Sequence, residues 1–241
     1  MEISKLYRDT IPFLTLQNTL KEAIVKILKY KRKLAIVDKK ELIGAITDSD
    51  LLGFIITKKY GPNEKLKNID YISFPIAINK RESVFKAIKL MKNYNLGSII
   101  VTDEKNYPEY VLKDYELLDF VEVSGVAKDF MTPNPICAKL SSNTDLIKML
   151  VFSKFRNLPV IDSKGKFKGL INVHRVLKIL YLNNFKIPQG EIIQEVETFE
   201  EYDDIKAIKK YLKENEAAIV LKDDKVIGII TPYDIIKKFH E

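Results

Sequence analysis

The chain of 241 residues has a single cysteine, Cys137, no tryptophan and only two histidines, His174 and His240. One thiol closes no internal disulfide and, with so few imidazoles, builds no cysteine–histidine metal cluster. No metal or redox site is expected, and a lone thiol agrees with a reducing compartment, so the expected location is cytoplasmic. Long apolar runs are missing as well. The longest stretch without a charge is the eleven residues 10–20, short of the roughly 18 that would suggest a membrane helix. Glu2, Lys5, Arg8 and Asp9 open the chain with no apolar block behind them, which is not the pattern of a secretory signal. No HExxH, nucleophile elbow or P-loop accompanies the two histidines. Catalysis therefore finds no support, and the chain is expected not to be an enzyme. His240 reads as part of a frayed end, and Cys137 as a small packed hydrophobe in a first strand.

With 46% hydrophobic and 30% charged residues and only nine glycines and nine prolines, the composition is that of an ordinary globular protein. Forty basic against 33 acidic residues leave a net charge of +7. Its distribution says more than its size. Residues 123–182 hold 10 basic and 3 acidic side chains, whereas 183–241 hold 9 and 13. A cleft between those quarters would have one cationic and one acidic wall, suited to a ligand with both an anion and hydroxyls.

The same unit recurs four times: a helix-period apolar stripe, a short strand, a polar turn, a second strand, and a polar tetrad opening another helix. The strand pairs are 34–37 with 42–46, 99–102 with 110–112, 158–161 with 167–171, and 218–221 with 226–230, each joined closely enough for a hairpin. The preceding stripes, such as Leu20, Ala23, Ile24 and Ile27, have i, i+3, i+4, i+7 spacing. Their expected N-caps are Ser83 in the second unit, Ser142 or Thr144 in the third and Asp203 in the fourth. The tetrads end on Asp50, Glu116, Arg175 and Asp234, spaced 66, 59 and 59 residues apart. The second helices are expected over, for example, 50–55 and 234–239. Residues 53–61 and 181–190 read as helix ends and linkers.

GAITDSDLL from Gly44, GLINVHRVL from Gly169 and GIITPYDII from Gly228, with FMTPNPI from Phe130 and NLPVID from Asn157, resemble the CBS-domain family. YVLKDYELL from Tyr110 lacks the glycine and is the weaker copy. The resemblance implies an α/β fold of four tandem β-α-β-β-α CBS repeats at 1–56, 57–122, 123–182 and 183–241. These would pair into two pseudo-twofold modules, often called Bateman modules, over 1–122 and 123–241.

A strand ending in Gly-x-x-Thr-x-x-Asp places a hydroxyl and a carboxylate at a helix start. An ionised carboxylate only accepts, so it can take the two hydroxyls of a ribose, and free backbone N–H groups suit a phosphate. The alternative is that Thr47 and Thr231 are plain N-caps and that Asp50 and Asp234 serve the helix alone. The resemblance tips the balance: in this family the Asp binds ribose hydroxyls of an adenosine ligand and the Thr lies near its phosphates. Repeats 1 and 4 are complete. Repeat 2 has Lys113 and Glu116, a longer acid without the hydroxyl, and repeat 3 has Asn172 and Arg175, whose guanidinium accepts nothing. One competent site per pair is expected.

By the same resemblance the Asp50 site would include Tyr71, Ile76, Leu96 and Gly97, and the Asp234 site Pro133, Ile136, Phe155 and Arg156. The apolar members also read as core. Arg32 and Lys33 are phosphate cations by family position, or else a solvated helix end. Both readings stay open. In repeat 4 the matching stretch Glu214, Asn215 and Glu216 has no cation, and Arg156, His174 and Arg175 are expected to substitute.

The expected function is a non-catalytic regulatory sensor that binds AMP, ADP, ATP or S-adenosylmethionine and passes occupancy to an effector protein. It needs no cofactor and no membrane, and a homodimer of chains is a further expectation. Nucleic-acid binding through the run 29–33, and a structural dimerisation module with vestigial clefts, are the alternatives.

Overall fold

The structure, a computed structural model, describes residues 1–7, 13–31, 33–57, 59–70, 72, 73 and 75–239. The first repeat comprises β1 (Leu14–Thr15), α1 (Leu20–Tyr30), β2 (Lys33–Asp38), β3 (Glu41–Thr47) and α2 (Asp48–Ile56). The second has β4 (Ala77–Asn79), α3 (Val84–Tyr94), β5 (Ser98–Thr102), β6 (Pro108–Lys113) and a 3-10 helix, Asp114–Phe120. The third is led in by α4 (Ala127–Phe130) and β7 (Thr132–Pro133), followed by β8 (Ala138–Lys139), α5 (Asn143–Ser153), β9 (Asn157–Ile161), β10 (Phe167–Asn172) and α6 (Val173–Leu182). The fourth has β11 (Thr198–Glu200), α7 (Ile205–Leu212), β12 (Ala218–Lys222), β13 (Lys225–Ile230) and α8 (Pro232–Lys237). This is the expected α/β repeat.

In each repeat the short first strand lies parallel to the leading hairpin strand, as in Leu14 opposite Ile36 and Ala138 opposite Val160. The hairpins are antiparallel, with Leu34 opposite Ile46 and Ala218 opposite Ile230. Three hairpins slip by one residue close to the glycine of the motif, between Ile36 and Val37, Phe167 and Gly169, and Val220 and Leu221. Such a bulge bends the strand and re-aims the residues beyond it, here the tetrad.

The helices form because their apolar stripes find a core. Leu20, Ala23, Ile24 and Ile27 of α1 and Val84, Ala87, Ile88 and Met91 of α3 are buried, each large side chain contributing roughly 1.5–3 kcal/mol. Thr19 and Glu22 close a capping box on α1, with Glu22 N–H to Thr19 Oγ1 at 3.3 Å and Thr19 N–H to Glu22 Oε2 at 2.7 Å.

Two compact units result. The first holds Met1–Met91, Ser98–Leu112 and Val173–Ile187, and the second Lys92–Gly97, Lys113–Asn172 and Pro188–Glu241. Each unit gathers separate stretches of the chain. Within the first unit, Ala35, Ala45, Ile100 and Val111 form a core shared by repeats 1 and 2, and α6 packs on α2 and α1. Within the second, Leu170, Ala217 and Ile219 play the same part for repeats 3 and 4, and α8 packs on the 3-10 helix Asp114–Phe120.

Several local expectations are corrected. Asp204, not Asp203, caps α7, accepting from Lys206 N–H at 2.9 Å, because Asp203 already accepts from Glu200 N–H at 2.8 Å in the turn before it. Ser142 rather than Thr144 caps α5. The second helix of repeat 2 is 3-10, and α8 starts at Pro232, whose fixed φ suits a first helical position. Cys137 sits just outside β8, half-buried, its Sγ 3.4 Å from the Pro135 carbonyl, and burial pushes its thiol pKa up.

Candidate functional site

Thr47 ends β3 and caps α2. Its Oγ1 accepts from Asp50 N–H at 3.1 Å and donates to Asp50 Oδ2 at 2.7 Å, and its N–H donates to the same Oδ2 at 2.8 Å. Thr231 and Asp234 repeat the carboxylate side of the arrangement, with Thr231 N–H at 2.8 Å and Oγ1 at 2.6 Å from Asp234 Oδ2, while Asp234 N–H donates to the Thr231 carbonyl at 3.0 Å. The capping reading is thus realised, but it uses one carboxylate oxygen of each pair. Asp50 Oδ1 has no hydrogen-bond partner among the described residues, and Asp234 Oδ1 accepts only from Thr132 Oγ1, at 3.2 Å. Each therefore retains acceptor capacity beyond the cap.

The leading segment of the neighbouring repeat lies alongside. Ser73 bridges to Ala45 of β3, its carbonyl oxygen accepting from Ala45 N–H at 3.0 Å. Thr132 and Pro133 of β7 pair with Ile229 and Gly228 of β13. A side chain at Gly44 would run into Ile72, and one at Gly228 into Met131. The side chains of Ile72 and Met131, pressed onto the strand, explain those glycines.

Around Asp50, Lys33 faces Thr47 across the hairpin and donates through Nζ to Ser98 O at 3.1 Å. Burial lowers the Lys33 pKa below the usual lysine value, while the Asp50 charge acts the other way. Lys33 is thus the first residue of β2, its ammonium on a backbone carbonyl, and not part of the helix end before it. Ile76 is half-buried just before β4. Leu96 and Gly97 are half-buried in the second unit, where Gly97 O accepts from Asp114 N–H at 3.0 Å. Arg32 and Tyr71 lie outside the described residues, as does His240.

At Asp234 a cavity of about 420 Å³ opens, lined by Asp129, Thr132, Pro133, Asp234, Lys237 and Lys238 among others. Ile136 and Phe155 are 55% and 46% exposed, so neither packs in the core. The cation expected from Arg156 is committed elsewhere: its Nη2 lies 3.3 and 3.4 Å from the carboxylate oxygens of Glu216. His174 and Arg175 open α6, which belongs to the first unit, whereas Asp234 belongs to the second.

The other two tetrads are occupied by the protein itself. Lys113, 6% exposed, pairs with Glu116 at 3.5 Å, and its N–H reaches Glu116 Oε2 at 2.7 Å. In repeat 3, Asn172 Nδ2 donates to Asn157 Oδ1 at 2.8 Å and to Glu216 Oε2 at 2.9 Å, the same carboxylate that holds Arg156. Sequence reasoning missed Glu216, Thr132, Lys237 and Lys238. Thr132 belongs to the FMTPNPI motif, and the lysines follow Asp234 by one helical turn. Nothing local marked Glu216, 60 residues from Arg156.

A family model for the CBS domain matches residues 3–57, 69–123, 127–182 and 190–241. The chain is 24% identical over 260 residues, 92% of each chain, to the uncharacterized protein MJ1225 of Methanocaldococcus jannaschii. The crystal structure of that protein, presented as a proposed archaeal homologue of γ-AMPK, is similar over 100% of both chains with a TM-score of 0.85 at 23% identity. An uncharacterized conserved protein of Pyrococcus horikoshii is similar at 0.63 and 18% identity, over 98% of this chain and 99% of its own. These two likenesses are of fold. Inosine-5'-monophosphate dehydrogenase of Halalkalibacterium halodurans is 26% identical over 150 residues, 58% of this chain, and the chain spans 31% of that enzyme's length. Among the described residues no helix is long and apolar enough to cross a membrane, and no group of three or more His, Cys, Asp or Glu residues is arranged to hold a metal ion.

Proposed function

This chain belongs to the CBS-domain family, and from that premise we propose that it is a non-catalytic regulatory protein that binds adenosine-containing nucleotides at Asp50 and Asp234. Occupancy would be passed on to an effector protein, with the repeats acting in pairs over 1–122 and 123–241. The observation that carries the reading is the inequality of the four tetrads. Asp50 and Asp234 each spend one oxygen on the cap; the other is open to a ligand hydroxyl at Asp50 and, at Asp234, accepts one bond from Thr132 Oγ1 at 3.2 Å and retains a second lone pair. The equivalent places in repeats 2 and 3 are closed by Lys113 with Glu116 and by Asn172 with Glu216 and Arg156. At Asp50 the start of the nine-residue helix α2 adds backbone donors for a phosphate, and Lys33 a cation.

Binding favours whichever packing of the paired repeats holds the ligand better, and only by that difference in affinity. Calorimetric titration with AMP tests the assignment. The intact chain should take two equivalents, and Asp50→Ala and Asp234→Ala one each. Two equivalents retained in both variants would overturn it.

A further inference from the structure

The cavity at Asp234 contains two cations that ribose binding does not use. Lys237 and Lys238 follow Asp234 by three and four residues, which puts all three side chains on one face of α8. Both ammonium groups are exposed and line the same cavity of about 420 Å³. Aromatic rings steady them: Lys237 Nζ lies 5.3 Å from the Tyr233 ring centre and Lys238 Nζ 5.8 Å from that of Phe130. Neither is ion-paired with Asp234 or Asp129 among the described residues. Asp50 is followed at the same spacing by Gly53 and Phe54 rather than by lysines. Helix α2 has no basic residue in its last turn, and Lys33 is tied to the Ser98 carbonyl.

We propose that Lys237 and Lys238 form a clamp for an extended phosphate chain, so that the Asp234 cleft takes an adenosine di- or triphosphate in preference to the monophosphate. This rests on the reading of Asp234 as the ribose acceptor. The carboxylates of Asp129 and Asp234 repel a phosphate held close to the sugar. The lysines lie about one helical turn further along α8 and line the same cavity, so a phosphate chain that extends along α8 from the ribose meets them with its outer phosphates. The outer phosphates therefore meet the cations while the sugar meets the acid.

The test uses full-length Asp50→Ala, which leaves the Asp234 cleft as the site to be measured, titrated calorimetrically with AMP, ADP and ATP in magnesium-free buffer. ATP should bind about tenfold more tightly than AMP, the sum expected of two exposed charge pairs. Lys237→Ala combined with Lys238→Ala should erase most of that preference while AMP affinity changes less than about twofold, and raised salt should shrink it in the parent. An unchanged preference in the double variant, or an equal loss of AMP and ATP, would overturn the clamp and leave the ribose reading standing. If none of the three nucleotides binds, the ribose reading at Asp234 fails and takes the clamp with it.

Discussion

Replacing Gly169 and Gly228 by alanine, one at a time, probes how the leading segments are pressed against the tetrad strands. Gly169 has φ +142°, and an added methyl would lie 2.7 Å from the carbonyl oxygen of Gln194 and 2.6 Å from Ile193. That carbonyl already accepts from Leu170 N–H at 2.8 Å and cannot retreat without breaking the bridge. A backbone conformation foreign to L side chains costs about 1–3 kcal/mol, and the collision adds to it. Gly169→Ala should therefore cost about 3 kcal/mol, which at about 2–4 °C per kcal/mol for a chain of this size lowers Tm by about 6–12 °C. Gly228 differs in what it meets, the Met131 side chain, with Cγ at 2.8 Å and Cβ at 2.9 Å. The unbranched thioether can swing its Sδ and Cγ aside while Cβ yields only with a backbone shift of a few tenths of an ångström, so Gly228→Ala should cost about 1–2 kcal/mol. Its displaced Met131 sits beside Thr132, so weaker nucleotide binding at Asp234 should accompany the smaller loss. Urea and thermal unfolding followed by circular dichroism give both numbers. A loss at Gly228 equal to or above that at Gly169 would refute the packing argument.

Two other substitutions test the charged groups. Glu216→Ala removes the carboxylate shared by Arg156 and Asn172 and should cost about 1–2 kcal/mol, with Glu216→Gln costing less because it still accepts from Asn172; denaturant unfolding showing no loss for either would deny the cluster a stabilising role. Lys33 has a folded-state pKa below its unfolded 10.5, so between the two values the unfolded chain binds more protons and stability contributed by this residue rises with pH. The stability of the unaltered chain relative to Lys33→Met should accordingly increase from neutral pH toward 10.5, and a flat or falling difference in unfolding free energy would contradict the burial of its ammonium.

The periodic part of the fold could be read directly. Stripes such as Val84, Ala87, Ile88 and Met91 have only one way to be buried, and the hairpins between them are bounded by turns of a few residues. What escaped reading depends on non-local partners. The first strands are two or three residues long and exist only because a hairpin lies beside them. Tyr110 stands where the other repeats have glycine, and its role emerges only in space, stacked on Tyr7 with centroids 4.3 Å apart. The two tetrad acids were legible because helix, strand and spacing converge on them. The partner of Arg156 is not legible because a guanidinium pairs with whichever carboxylate the fold delivers, and Glu216 arrives from the next repeat.

The third and fourth repeats trade edges. Thr132 and Pro133 lead into the third repeat yet border the last strand of the fourth, while Gln194 leads into the fourth yet borders Leu170 of the third. Excising one copy would therefore strip its companion of a flank and leave raw apolar β-structure in water. Gene duplications and deletions in this lineage should be tolerated two copies at a time, and a workable minimal fragment would contain a reciprocal couple rather than a lone motif.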